Sequence, residues 1–175
     1  RILAAALGFG SAGDQIVIWQ IRLPRTLAAS LVGAALGMSG AALQGLLRNP
    51  LAEPGVLGVS ASAALAATTA LYFGLTAAGP LVLPLAAIAG ALAATFIVAA
   101  AALRTRSVVT LILIGVGLSS FSAALMALLM NFAPNPFSLA DMVNWMLGTV
   151  ANRSLNDLLM SAPFLIVGIV MLMAS

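Results

Sequence analysis

Seven arginines, four carboxylates and one tyrosine are the only ionisable side chains in 175 residues, because lysine, histidine and cysteine are absent. That inventory excludes much chemistry. Zinc centres, His-ligated haem, disulfides and thiolate nucleophiles need His or Cys, and a phosphate loop of the Gly-x-x-x-x-Gly-Lys-Ser/Thr type needs the lysine. A serine nucleophile needs a base beside it, and Ser119 and Ser120 have only apolar neighbours in sequence. The four acids are too far apart in sequence to suggest more than a weak hard-metal site. What remains is recognition by charge. Arg22 and Arg25 flank Leu23-Pro24, and Arg48 opens the run Arg48-Asn-Pro-Leu-Ala-Glu-Pro-Gly55, which holds Glu53. The arginines stand singly or in pairs between apolar runs. The pI of 11.2 therefore does not signal a nucleic-acid face, which needs clustered positive charge.

The elements that must carry these charges follow from composition. Hydrophobic residues make up 63% of the chain and charged residues 6%, and the mean hydropathy is +1.18. No water-soluble domain of this length needs such a balance to fill its core. The fold class expected is all-α, a polytopic transmembrane helical bundle in a single domain over residues 1–175. A crossing takes about 20 apolar residues, and the charges and the Gly/Pro clusters cut the chain into spans at about 26–47, 56–73, 81–103, 108–132 and 158–175. The uncharged stretch 56–103 is too long for one crossing and is interrupted by Gly74, Gly79, Pro80 and Pro84; Pro134 and Pro136 end the fourth span. A short amphipathic helix over 138–148, with Trp145, suits the membrane interface, although an ordinary loop is the simpler alternative. The chain opens and closes within apolar segments, so it is expected to be a fragment with a remnant of one preceding span.

Small residues recur every fourth position: Ala29, Gly33, Gly37, Ala41 and Gly45; then Gly58, Ser62, Ala66, Ala70 and Gly74; then Gly115, Ser119, Ala123 and Ala127. Such stripes let helix backbones approach where lipid tails supply no drive between helices. The first, with three glycines, marks a helix expected to be enclosed by others. An Ala-rich composition can also produce stripes without meaning.

Five consecutive crossings put Arg22, Arg25 and Arg153 on one side and Arg48, Arg104 and Arg106 on the other, with Arg1 in the cut segment not counted. The positive-inside count is a tie, and it cannot orient the chain. On a continuous helix Arg22 and Arg25 would face similarly, but Pro24 between them favours a helix start at that point. They could be interfacial anchors reaching for headgroups, or they could serve a partner.

Arg22-Leu-Pro-Arg-Thr-Leu27, the Gly33-Ala-Ala-Leu-Gly37 helix with Ser39-Gly40 and Gln44, and Asn49-Pro-Leu-Ala-Glu-Pro-Gly-Val-Leu-Gly-Val-Ser60 together resemble FecCD-type permease subunits of ABC importers for ferric siderophores, haem and cobalamin. Leu111-Ile-Leu-Ile-Gly-Val-Gly-Leu118 and Trp145-Met-Leu-Gly148 extend the resemblance in the same order. It covers nearly the whole chain, as about the N-terminal half of such a subunit, its second to sixth helices. It implies an external face for Arg22 and Arg25, where they pair with glutamates of a periplasmic or lipid-anchored substrate-binding protein. It implies a cytoplasmic loop of Arg48, Asn49, Pro50, Glu53, Pro54 and Gly55. This loop either contacts the coupling machinery or serves as a rigid connector. It also implies a cytoplasmic gate at Val108 and Val109, where the cobalamin importer has small polar residues, and helix packing at Gly33, Gly37, Ala41 and Gly45.

The expected function is the permease subunit of a binding-protein-dependent, ATP-driven importer of an iron-siderophore or related chelate, working by alternating access in the bacterial cytoplasmic (inner) membrane. It is expected not to be an enzyme, to hold no cofactor and no metal, and to rely on a separate subunit for ATP. The partners implied are the binding protein, cytoplasmic ATPase subunits, a second permease subunit and membrane lipid. Ser119, Ser122 and Asn131 could line the path or satisfy neighbouring helices. An ion-coupled secondary transporter is the rival class, but such proteins place ionisable groups near the midplane, and these four acids lie between spans. A purely structural helical bundle is the remaining alternative.

Overall fold

The structure is a computed structural model and describes residues 11–105, 107–151 and 153–174. Among the described residues every regular element is helical. Helix α1 (Ala12–Ile16) runs through a π-helical segment (Val17–Arg22) into α2 (Leu23–Leu47); α3 (Val59–Tyr72), α4 (Val82–Arg104), α5 (Val108–Asn131), α6 (Pro136–Leu147) and α7 (Leu155–Ala174) follow, with 3₁₀ turns at Pro54–Leu57 and Leu75–Ala78. Leu43–Gly148 forms one compact unit, and the chain on either side of it forms the other. Among the described residues four stretches are long and apolar enough to cross a membrane: Ala12–Leu47, Val82–Arg104, Val108–Asn131 and Leu155–Ala174.

In the unit outside Leu43–Gly148, both helix starts are set by the same device. Ser11 Oγ accepts from Asp14 N at 3.2 Å while Asp14 Oδ2 accepts from Ser11 N at 3.3 Å. Ser154 Oγ accepts from Asp157 N at 3.2 Å while Asp157 Oδ2 accepts from Ser154 N at 2.9 Å. Each carboxylate thereby satisfies its own helix terminus. The start expected at Pro24 is not the one observed, since the helix begins at Ala12 and passes through the proline. Pro24 has no N–H to give, and its ring crowds the carbonyl four residues back. The π segment widens the ladder at that point, with Leu23 N bonding to Ile18 O five residues back. Pro24 is accommodated and fully buried.

In the Leu43–Gly148 unit, α3 is the centre. It has 14 residues, about 21 Å, so the span expected over 56–73 is a helix shorter than the roughly 30 Å hydrocarbon core. Left-handed glycines close it off, Gly58 at φ +76° and Gly74 at φ +65°, conformations that cost glycine nothing. Ala67, Thr68 and Ala70 are buried, and α4, α5 and α6 pack around them. Against α4 the approach is backbone-close: a Cβ on Gly90 would collide with Ser62 O and stand 2.7 Å from Ala66 Cβ. Against α5, the Ser62 and Ser122 hydroxyls meet at 3.3 Å. Helix α6 begins with Asn135 Oδ1 accepting from Ser138 N at 2.8 Å and Pro136 in its first turn. Its Met142 is fully buried.

Candidate functional site

Arg22 closes the π segment and Arg25 lies in the first turn of α2. Both are exposed, and neither finds a carboxylate partner among the described residues. Thr26 Oγ1 donates to Arg22 O at 2.9 Å, taking up a carbonyl in the disturbed ladder. The uncharged run 26–47 that follows is about 33 Å long at helical rise, close to the thickness of the hydrocarbon core. Arg25 and Arg48 therefore bracket one membrane thickness. Asp14 and Asp157 are committed to capping, and Asp141 is exposed on α6.

The loop after α2 is a hydrogen-bonded turn. Asn49 N donates to Gln44 O at 3.2 Å and Ala52 N to Asn49 O at 3.1 Å. The Gln44 side chain donates to Pro50 O at 3.0 Å, and Asn49 Oδ1 accepts from Leu51 N at 3.0 Å. Arg48 sits at φ 48°, the left-handed position after a helix that normally selects glycine. Leu47 and Ala52 are buried, whereas Arg48 and Glu53 are exposed and do not pair with each other. Pro54 opens the 3₁₀ turn, and Gly55 O accepts from Ser119 Oγ of α5 at 3.4 Å. The structure thus joins the loop to α5 through a serine that sequence reasoning left open between path and packing.

Val108 and Val109 stand at the exposed start of α5, 37% and 67% accessible, where Ser107 Oγ caps Thr110 N at 3.3 Å. Arg106, counted in the charge tie, lies outside the described residues, as does Arg1. Ser122 of α5 is buried against Ser62 of α3, and Asn131 is exposed. Of the three small-residue stripes, the second forms the seam of α3 from Gly58 to Ala70, while Gly74 is exposed beyond the helix. In the third, Gly115 is buried but Ala123 and Ala127 are exposed, with Ser122 and Met126 buried in their place. In the first, Cβ atoms added at Gly33, Gly37 and Gly45 would meet nothing within 4 Å among the described residues, and Ala41 is exposed.

The family model for the FecCD transport family matches residues 1–175. Over 138 residues the chain is 47% identical to the vitamin B12 import system permease protein BtuC of Klebsiella pneumoniae subsp. pneumoniae, covering 79% of this chain and 41% of that protein. The protein of the same name from Salmonella paratyphi A is 46% identical over 138 residues, covering 79% and 42%. A solved structure of an inward-facing metal-chelate type ABC transporter superposes with a TM-score of 0.81 at 34% identity, over 90% of this chain and 49% of that one. The chain spans less than half the length of these relatives.

Proposed function

The chain belongs to the FecCD transport family, and on that basis we propose that it is part of the membrane-spanning permease subunit of a binding-protein-dependent, ATP-driven importer. The match over all 175 residues is the observation that carries this reading. The substrate proposed is a large metal chelate, of the kind of cobalamin or a ferric siderophore. The relatives' names favour the first. The subunit would sit in the bacterial inner membrane, beside a second permease subunit, with ATP bound by a separate ATPase.

Arg22 and Arg25 are the docking residues for acidic groups of the binding protein. Two exposed guanidinia, without a carboxylate partner among the described residues and at one end of the membrane-length run 26–47, suit that role. Exposed ion pairs contribute only about 0.2 to 1 kcal/mol each, so the pair steers and registers docking more than it supplies affinity. The loop Arg48–Gly55 lies at the cytoplasmic side and faces the ATPase. Val108 and Val109 form an apolar constriction, which can close by excluding water. The Gly33/Gly37/Ala41/Gly45 face of α2 seats another helix of the assembly.

The test is co-purification of the full-length protein, expressed with the ATPase and binding protein encoded beside it and reconstituted in lipid nanodiscs. A stable complex that recruits the binding protein loaded with cobalamin or ferric chelate is the expected result. A full-length protein that retains neither partner would return the chain to a structural bundle.

A further inference from the structure

We infer that Gly58, Gly115 and Ser119 are positioning residues that lock the loop after α2 onto helix α5, so that any displacement of the loop is delivered to α5. The contact is reciprocal and made by backbone. A Cβ on Gly58 would stand 2.8 Å from Gly115 O and 2.9 Å from Leu118 Cβ. A Cβ on Gly115 would collide with Val56 O and stand 2.6 Å from Leu57 Cα. Each glycine is therefore required by the segment opposite, and Gly58 is required a second time by its φ of +76°. One turn further along α5, Ser119 Oγ donates to Gly55 O at 3.4 Å.

With the two backbones in direct contact and only Leu118 and Ser119 adding side chains, little rotamer freedom is left to absorb relative motion, and close-packed contacts of this sort deform little. The loop itself is stiff. Its hydrogen bonds run from Gln44 to Gly58, and Leu47 at its start and Ala52 near its middle are buried. Gly115 is seven residues into α5, about 10 Å from its start at helical rise. The grip thus lies two turns from Val108 and Val109, on the same rigid helix. The inference rests on the reading of the loop as the face towards the ATPase, and gives that reading a route: loop, Gly58–Gly115 clamp, α5, constriction.

The experiment uses the full-length permease assembled with its ATPase and binding protein. Spin labels are placed at Leu51→Cys and Leu113→Cys, which are 86% and 65% exposed. The interlabel distance is expected to change by less than the about 2 Å of an ordinary interface helix shift between nucleotide-free and ATP-trapped states. A third label on the second permease subunit should meanwhile report movement relative to Leu51. A Leu51–Leu113 change of about 5 Å, the size of a one-turn ratchet, overturns the clamp. A fixed Leu51–Leu113 distance with Leu51 stationary against that subunit overturns the reading of the loop and, with it, the delivery of motion to α5. Ser119→Ala is expected to lower the substrate imported per ATP hydrolysed by about two- to fivefold, with Ser119→Thr, which keeps the donor, restoring it. An unchanged ratio in Ser119→Ala would remove Ser119 from the clamp.

Discussion

Thr68 has its hydroxyl fully buried and without a partner among the described residues. A buried polar group with no hydrogen bond costs about 1 to 3 kcal/mol, so Thr68→Val, which keeps the shape and deletes the hydroxyl, should leave the thermal midpoint of the full-length protein unchanged or raised. A clear drop would show that the hydroxyl has a partner. Arg22 and Arg25 make the opposite case, charges left free at the surface. Reversing both to Glu should slow association of the binding protein at low salt by about tenfold or more and flatten its salt dependence. Stopped-flow rates identical to those of the unmodified protein would remove these residues from docking. Both arginines stood out in the sequence because charge is scarce. Thr68 did not, because neither its type nor its spacing says whether a hydroxyl is answered.

Among the helices, the seam of α3 and the open face of α2 separate two meanings of the same pattern. Gly90→Ala places a Cβ against Ser62 O and Ala66, and overpacking of this kind costs about 1 to 3 kcal/mol. Thermal unfolding should register the loss directly. A Cβ added at Gly37 meets nothing within 4 Å among the described residues, so Gly37→Leu should reduce the yield of assembled transporter while leaving helix content intact. Unchanged assembly would count against a helix seated on that face. Helix starts were less legible than stops. Arg104 closes α4 where the charge pattern put a break, but Pro136, read only as a stop for the preceding span, opens α6, and the Ser154–Asp157 pair that opens α7 was not read as a cap. Less legible was the buried face of α5. A strict four-residue repeat advances about 40° per step around a helix of 3.6 residues per turn, so Ala123 and Ala127 drift off the contact that Gly115 begins, and Ser122 and Met126 occupy it. The π segment that carries the chain through Pro24 was not legible either, because a ladder shifted to a carbonyl five residues back leaves no distinctive mark in the residue types.

For the molecule as a whole, the scarce charge of the described residues is kept out of residues 82–103 and of Val108–Asn131; it falls in the connections, in the short helix α6 (Asp141), in the first turn of α7 (Asp157) and in the first half of Ala12–Leu47. Asp14 and Asp157 are consumed in capping, Arg48 and Glu53 lie in the loop after α2, and Arg22 and Arg25 find no carboxylate among the described residues. No ionisable group sits at mid-depth of Val82–Arg104 or Val108–Asn131, where an ion-coupled carrier would place one. The most direct measurement is uptake of cobalamin and of a ferric siderophore into proteoliposomes containing the full-length permease with its ATPase, supplied with loaded binding protein. Uptake that requires both ATP and binding protein, and survives collapse of proton and sodium gradients, is the predicted result; uptake that persists without ATP and stops when those gradients collapse would contradict it.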